Sequence, residues 1–172
     1  PRYLAGFSAT MFLSLGGFML MPFGSTFLVQ NLGISLTKLP MLYMVTGVMA
    51  GVAGPLLGRA ADAFGKLRVF LGGSALTAAL IYWYTNLTSA SFSLILVLNV
   101  LLFVGISARM VSSFALSSAL PGLPDRGAYM SINASLQQLA GGVGSFCAGL
   151  LVHQATPTSA IEGYPRLGWV VV

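Results

Sequence analysis

Long apolar runs separated by brief polar interruptions set the pattern of this chain. Five runs occupy about 3–29, 39–58, 67–84, 92–120 and 128–152, and a further one opens at 167 and continues to 172. Each of the five approaches the roughly 20 residues that an α-helix needs to cross about 30 Å of hydrocarbon. None alternates apolar and polar positions as a half-buried strand does. Backbone polar groups in lipid must be satisfied within their own segment, so the runs predict helices. The expected fold is an all-α integral membrane protein with five complete transmembrane helices and the start of a sixth. The first run is too long, and too rich in glycine at its centre, for a cleaved signal peptide. With no initiator Met and an end inside an apolar run, the chain is expected to be a piece of a longer protein.

Composition strengthens this reading. Of the 172 residues, 56% are hydrophobic and 6% charged, against about 25% charged in soluble domains. The charges behind the net +5 cluster, Arg109 apart, in the interruptions, as expected when each charge costs about 2.5–3.5 kcal/mol at a bilayer centre. It therefore bears on topology and gives no support to nucleic-acid binding. The single cysteine, Cys147, cannot form an intrachain disulfide, and no residue grouping resembles a metal or cofactor site.

Basic residues orient the runs. With the N-terminal end in the cytoplasm, that side receives Arg2, Arg59, Lys66, Arg68 and Arg126, and the outer side receives Lys38 and Arg166. Positively charged loops favour the cytoplasmic face, so this orientation is expected. Tyr82, Trp83 and Tyr84 then fall at the outer interface, where amphipathic rings are enriched. Asn86-Leu87-Thr88 has the form of a glycosylation sequon, but so does Asn133-Ala134-Ser135 inside a run, and neither carries weight.

The densest polar interruption runs from Gly58 to Arg68 and holds three of the eight basic residues and one of the three acids. It is read as a hinge on the cytoplasmic side between the second and third helices. Gly65 permits a tight reversal, and Lys66 and Arg68 can reach headgroups or carbonyls at helix ends. Asp62 can pair with Arg59 or Lys66, or face the N-terminus of another helix. Upstream, Gly47 with Gly51 and Gly54 with Gly58 offer two places for close approach by a neighbouring backbone. Pro55 adds a possible kink.

The spacing Gly58-x-x-x-Asp62-x-x-Gly65-Lys66-x-Arg68 resembles the cytoplasmic loop motif of the major facilitator superfamily. In that family the motif joins the second and third helices of a six-helix half, and a degenerate copy joins the eighth and ninth. The resemblance implies one half of a twelve-helix bundle and a secondary transporter. It also places Arg59 and Asp62 in a cytoplasmic gate that the other half completes. Many antiporters of the family carry a Gly-Pro motif in their fifth helix, whereas this chain has Gly141-Gly142-Val143-Gly144 without proline. That departure favours the C-terminal half, with an antiporter-like N-terminal half as the alternative.

Candidate residues for a substrate pathway come from three runs. In the fifth, Ser131, Ser135, Gln138, Gly142 and Ser145 form one stripe at helical spacing, and Asn133, Gln137, Gly141 and Gly144 form another. One stripe is expected to face a water-filled path and the other to pack, with Gln137 and Gln138 open to either role. In the first run, Gly16-Gly17 and Pro22-Phe23-Gly24 are expected to break the helix near its middle, with Phe18, Met21 and Phe23 offering an apolar surface. In the fourth, Arg109 is the one charge well inside a run, and Asn99 lies roughly 80° around the helix from it. Arg109 either snorkels to headgroups and carbonyls or serves as counter-ion to an anionic group. The family's helix-four arginine is usually followed by Gln-Gly, which is missing here, so a proton-coupling role is not carried over.

No Asp, Glu or His lies mid-run, and no nucleophile with a base and an orienting group can be assembled, so an enzyme is not expected. If transport is proton-driven, the titratable group is expected in the other half. The combined expectation is a multi-pass cell-membrane transporter, with drug or metabolite efflux by proton antiport leading and sugar or small-solute uptake as the alternative. A receptor or scaffold that reuses the fold is the reading from another class. The expected partners are the missing half, a small-molecule substrate, a coupling proton and the lipid bilayer, with no cofactor.

Overall fold

A computed structural model describes residues 2–156 and 159–172. Six α-helices follow one another: α1 (Arg2–Thr26), α2 (Leu39–Phe64), α3 (Lys66–Thr85), α4 (Phe92–Ser117), α5 (Arg126–Leu151) and α6 (Tyr164–Val171). A π-helical turn, Phe27–Asn31, extends α1, and a 3-10 turn, Leu36–Lys38, leads into α2. Local chemistry explains several helix starts. Pro40 lies in the first turn of α2 and Pro165 in that of α6, where a missing N–H costs nothing. Ser91 caps α4 by accepting from the Leu94 amide at 3.3 Å.

Four of these helices are long and apolar enough to cross a membrane: α1 with its π turn, α2 with its 3-10 turn, α3 and α4. Five were expected, and the difference is α5. Its 26 residues are ample in length, but Ser131, Asn133, Ser135, Gln137 and Gln138 make it less apolar than the others. Two expectations about local structure need correcting. The α1 helix is continuous through Gly16, Gly17 and Pro22, and its irregular turn comes only at Phe27. The hinge is mostly helical: α2 runs six residues past Gly58, and Gly65 alone separates it from α3.

The helices pack as α1 on α5, and α2 and α3 on α4, with α6 touching α1, α3 and α5. Glycine makes these crossings close. A β-carbon at Gly73 of α3 would lie 2.8 Å from the Ala108 β-carbon of α4, and one at Gly105 would lie 2.6 Å from Thr77 Oγ1. Both are shorter than any ordinary contact, so these crossings admit glycine alone. In α1, Gly6 leaves room for the Tyr129 ring of α5, which stacks on Phe7 at 4.7 Å. Small residues let backbones approach until dispersion and polar contacts hold helices that lipid does not drive together.

The apolar core gathers toward the end opposite the hinge. There Phe27 stacks on Tyr164 with centroids 4.3 Å apart and tilts against Tyr84 at 5.9 Å. Met19, Leu28, Leu42, Ile95, Leu98 and Leu167 are buried around them. Asn31 ties this end together, since its amide donates to the Ile161 carbonyl at 2.9 Å and accepts from the Ile161 N–H at 2.8 Å. Beside that clamp, His153 and Glu162 exchange two backbone bonds. The end carrying Arg59, Lys66, Arg68 and Arg126 is called the basic end below.

Candidate functional site

At the basic end, the motif residues sit on one helix end, one linking residue and one helix start. Arg59 and Asp62 lie on the last two turns of α2, and both are exposed. Ala60 and Ala61 between them, and Ala63 after, are strong helix formers, so the helix runs on through these charges. Gly65 has φ +96° and ψ 134°, a conformation that L side chains rarely adopt. Its N–H closes on the Ala61 carbonyl at 3.1 Å, and its own carbonyl accepts from Val69 at 3.2 Å. One residue thus ends α2 and starts α3. Lys66 and Arg68 occupy the first turn of α3.

These residues frame an open cleft of about 610 Å³, lined by Asp62, Phe64, Lys66, Leu67 and Arg68 with Leu116 of α4. Among the described residues, Asp62 forms no ion pair with Arg59 or Lys66 and makes no hydrogen bond. Asp125, at the start of α5, does have a partner, since Tyr3 donates to it at 3.3 Å. Gly47, Gly51, Gly54 and Gly58 recur on one face of α2, and nothing in this chain comes within 4 Å of a β-carbon placed on any of them. Among the described residues, none supplies the neighbouring backbone anticipated at these glycines.

The two stripes of α5 separate as polar faces of opposite use. Tyr129, Asn133, Ala140, Gly141, Gly144 and Ala148 are buried, with Gln137 half-buried at the margin. Gly141 lies under the Phe18 ring, where a β-carbon would come within 3.0 Å, and Gly144 lies against the Leu15 carbonyl, where one would come within 2.6 Å. Ser131, Ser135, Gln138 and Gly142 form the open face. Ser131 donates to the Gly127 carbonyl at 3.0 Å and Ser135 to the Ser131 carbonyl at 3.1 Å. Their hydroxyls are thereby satisfied within the helix. Gln138 has no such bond among the described residues, so its exposed amide, halfway along α5, is the group on this face that needs an outside partner. Ser145 leaves its expected stripe and joins the packed side by bonding to α1.

The apolar candidates of α1 do not converge. Phe18 is taken up by Gly141, Phe23 packs on the apolar core, and Met21 points outward with 65% of its surface exposed. In α4, Asn99 is buried and donates to the Tyr84 hydroxyl of α3 at 3.2 Å, leaving its Oδ1 without a partner. Arg109 is half-buried beside the close α3 crossing, and its Nε is likewise unpaired. Ser112 Oγ, Tyr129 Oη and Asn133 Oδ1 also lack partners. Together with Arg109 these lie toward the basic end, while Thr46 Oγ1, also unpaired, lies with Asn99 toward the apolar core. Residue spacing alone does not reveal Ser112 and Tyr129, since each looks like a packing residue on its own helix.

The family model of the Major Facilitator Superfamily matches residues 6–163, which covers every helix but α6. The chain belongs to the major facilitator superfamily. Members are secondary transporters of small solutes embedded in a membrane, and the family is not one of enzymes. No curated protein matches the chain. For a member of this superfamily, the one-residue link at Gly65 and the exposed acid one turn before it are the parts of the site that coincide with the loop motif read in the sequence.

Proposed function

We propose that this superfamily member forms one six-helix half, the C-terminal one, of a twelve-helix transporter that works by alternating access. The carrying observation is Asp62: an exposed carboxylate at a helix end, unpaired among the described residues, held beside Arg59 and the Gly65 link. A partner half that supplies a helix N-terminus or a cation there would close a gate on the basic end. The open glycine face of α2, from Gly47 to Gly58, would receive a helix of that half at close range. On this reading the basic end is cytoplasmic, the chain lies in the plasma or inner membrane, and Arg59, Lys66 and Arg68 sit near headgroups.

The leading cargo class is a drug-like compound or metabolite exported in exchange for protons. Its support is the family resemblance and the apolar character of α1, and the titratable group for proton coupling would belong to the other half. Uptake of a sugar or other small solute is the alternative. Substituting Asp62→Asn in the full-length protein is expected to slow substrate flux in proteoliposomes severalfold while leaving equilibrium binding of the substrate near wild type. Unchanged flux would remove Asp62 from the gate.

A further inference from the structure

We propose that Ser145 is a positioning residue for α1, supplying the hydrogen bond that Pro22 takes away and able to release it by turning back to its own helix. A proline inside a helix has no N–H, so the carbonyl four residues earlier is left without its usual donor. For Pro22 that carbonyl belongs to Phe18. Ser145 Oγ of α5 donates to it at 3.2 Å, and this accounts for the continuity of α1 where a break was expected. The approach needs a flat α5 surface. Gly141 and Gly144 provide one by lying against Phe18 and Leu15, and a side chain at either would lift α1 away from the hydroxyl.

Ser145 stands apart from the other hydroxyls of the bundle. Ser14, Thr77, Thr85, Ser131 and Ser135 each donate to the carbonyl four residues back on their own helix. Ser145 instead sends its hydroxyl to a backbone carbonyl of a different helix. Its own back-bonding acceptor, the Gly141 carbonyl, remains within reach of a rotation about χ1. The hydroxyl therefore has two acceptors, and moving from one to the other keeps its own hydrogen bond while leaving the Phe18 carbonyl without a donor. With Ser145 on Phe18, α1 is bolted to α5 at its proline. With Ser145 on Gly141, the Phe18 carbonyl is free and α1 can bend there.

Bending would occur between two anchored segments. Below Pro22, Gly6 and Phe7 hold α1 to Tyr129. Above it, Phe27 and Asn31 hold it to Tyr164 and Ile161. If the chain acts as a transporter half, this is a hinge in a helix that the rocking motion must move, and to that extent the role rests on the transport reading. The test itself reads geometry and needs no substrate.

The experiment uses the full-length protein in lipid, with Cys147→Ala and other cysteines replaced. Spin labels at Leu4→Cys and Leu36→Cys, both well exposed, report the distance across the proline by pulsed electron resonance. Ser145→Ala is expected to shift or broaden the distribution, and Ser145→Thr, which keeps the hydroxyl, to restore it. With Pro22→Ala, residue 22 regains its N–H, so Ser145→Ala should change nothing further. An unchanged distribution in Ser145→Ala, or the same shift with and without Pro22, overturns the proposal. If Ser145→Ala fails to fold, Ser145→Cys, with a weaker donor of similar size, is expected to give an intermediate distribution. A wild-type distribution there counts against the role. A shifted distribution in Ser145→Ala, with no transport by the wild-type protein, would leave the hinge standing and sink the transport reading instead.

Discussion

Gly65 shows at the residue scale how the chain uses a conformational exception. With φ +96°, it holds a backbone geometry that costs other residues about 1–3 kcal/mol. Gly65→Ala is therefore expected to lower stability by about that amount, read as a lower melting temperature of the purified full-length protein against Gly72→Ala, which meets open space and lies off the glycine face of α2. Asn99 is a second case. Its bond to Tyr84 is buried, so Tyr84→Phe leaves the amide with no partner and should destabilise by about 1–3 kcal/mol. Replacing both, as Tyr84→Phe with Asn99→Leu, should recover part of that loss in a thermal melt. The Gly65 requirement was legible in the sequence because a reversal between two apolar runs needs such a residue. The Asn99 bond was not, since Tyr84 read as an interfacial ring until α3 was seen to turn it inward.

Helix pairs carry the next scale. Charges at Arg59 and Asp62 marked a polar interruption, and that much was correct. They did not mark the helix end, because alanines on either side sustain the helix as far as the only breaker. Pro22 misled in the opposite direction. Proline and glycine together indicate a break, yet the decisive partner, Ser145, lies 123 positions further along the chain, and no local pattern points to it. The two faces of α5 were legible from spacing, but which face packs was not, since that depends on where Leu15 and Phe18 of α1 arrive. Gly144→Leu is expected to disrupt the α1–α5 crossing and cost several kcal/mol, as overpacking without room to relax does. Gly142→Leu, on the open face, should leave the melting temperature within a degree or two of wild type unless a partner helix occupies that face. The pair of melts therefore also reports whether a partner does.

For the whole molecule, the fold class followed from apolar run length alone, and the superfamily from one eleven-residue stretch. What the sequence could not display is the polarity of the interior. Unpaired polar atoms of Arg109, Ser112, Tyr129 and Asn133 lie toward the basic end, and those of Thr46 and Asn99 lie beside the apolar core. That distribution emerges only when separate runs are folded together.

The central claim is that the open face of α5 borders a hydrated path, and Gln138 tests it most directly. Gln138→Cys is made in the full-length protein with Cys147→Ala, the membrane is intact, and labelling by a membrane-impermeant maleimide is measured with and without transported substrate. The account predicts labelling that substrate slows severalfold, with Phe146→Cys, exposed on another part of α5, staying unlabelled in lipid. A Gln138→Cys protein that resists the reagent under all conditions, while folded and inserted, would contradict it and favour a scaffold whose α5 is sealed against its neighbours.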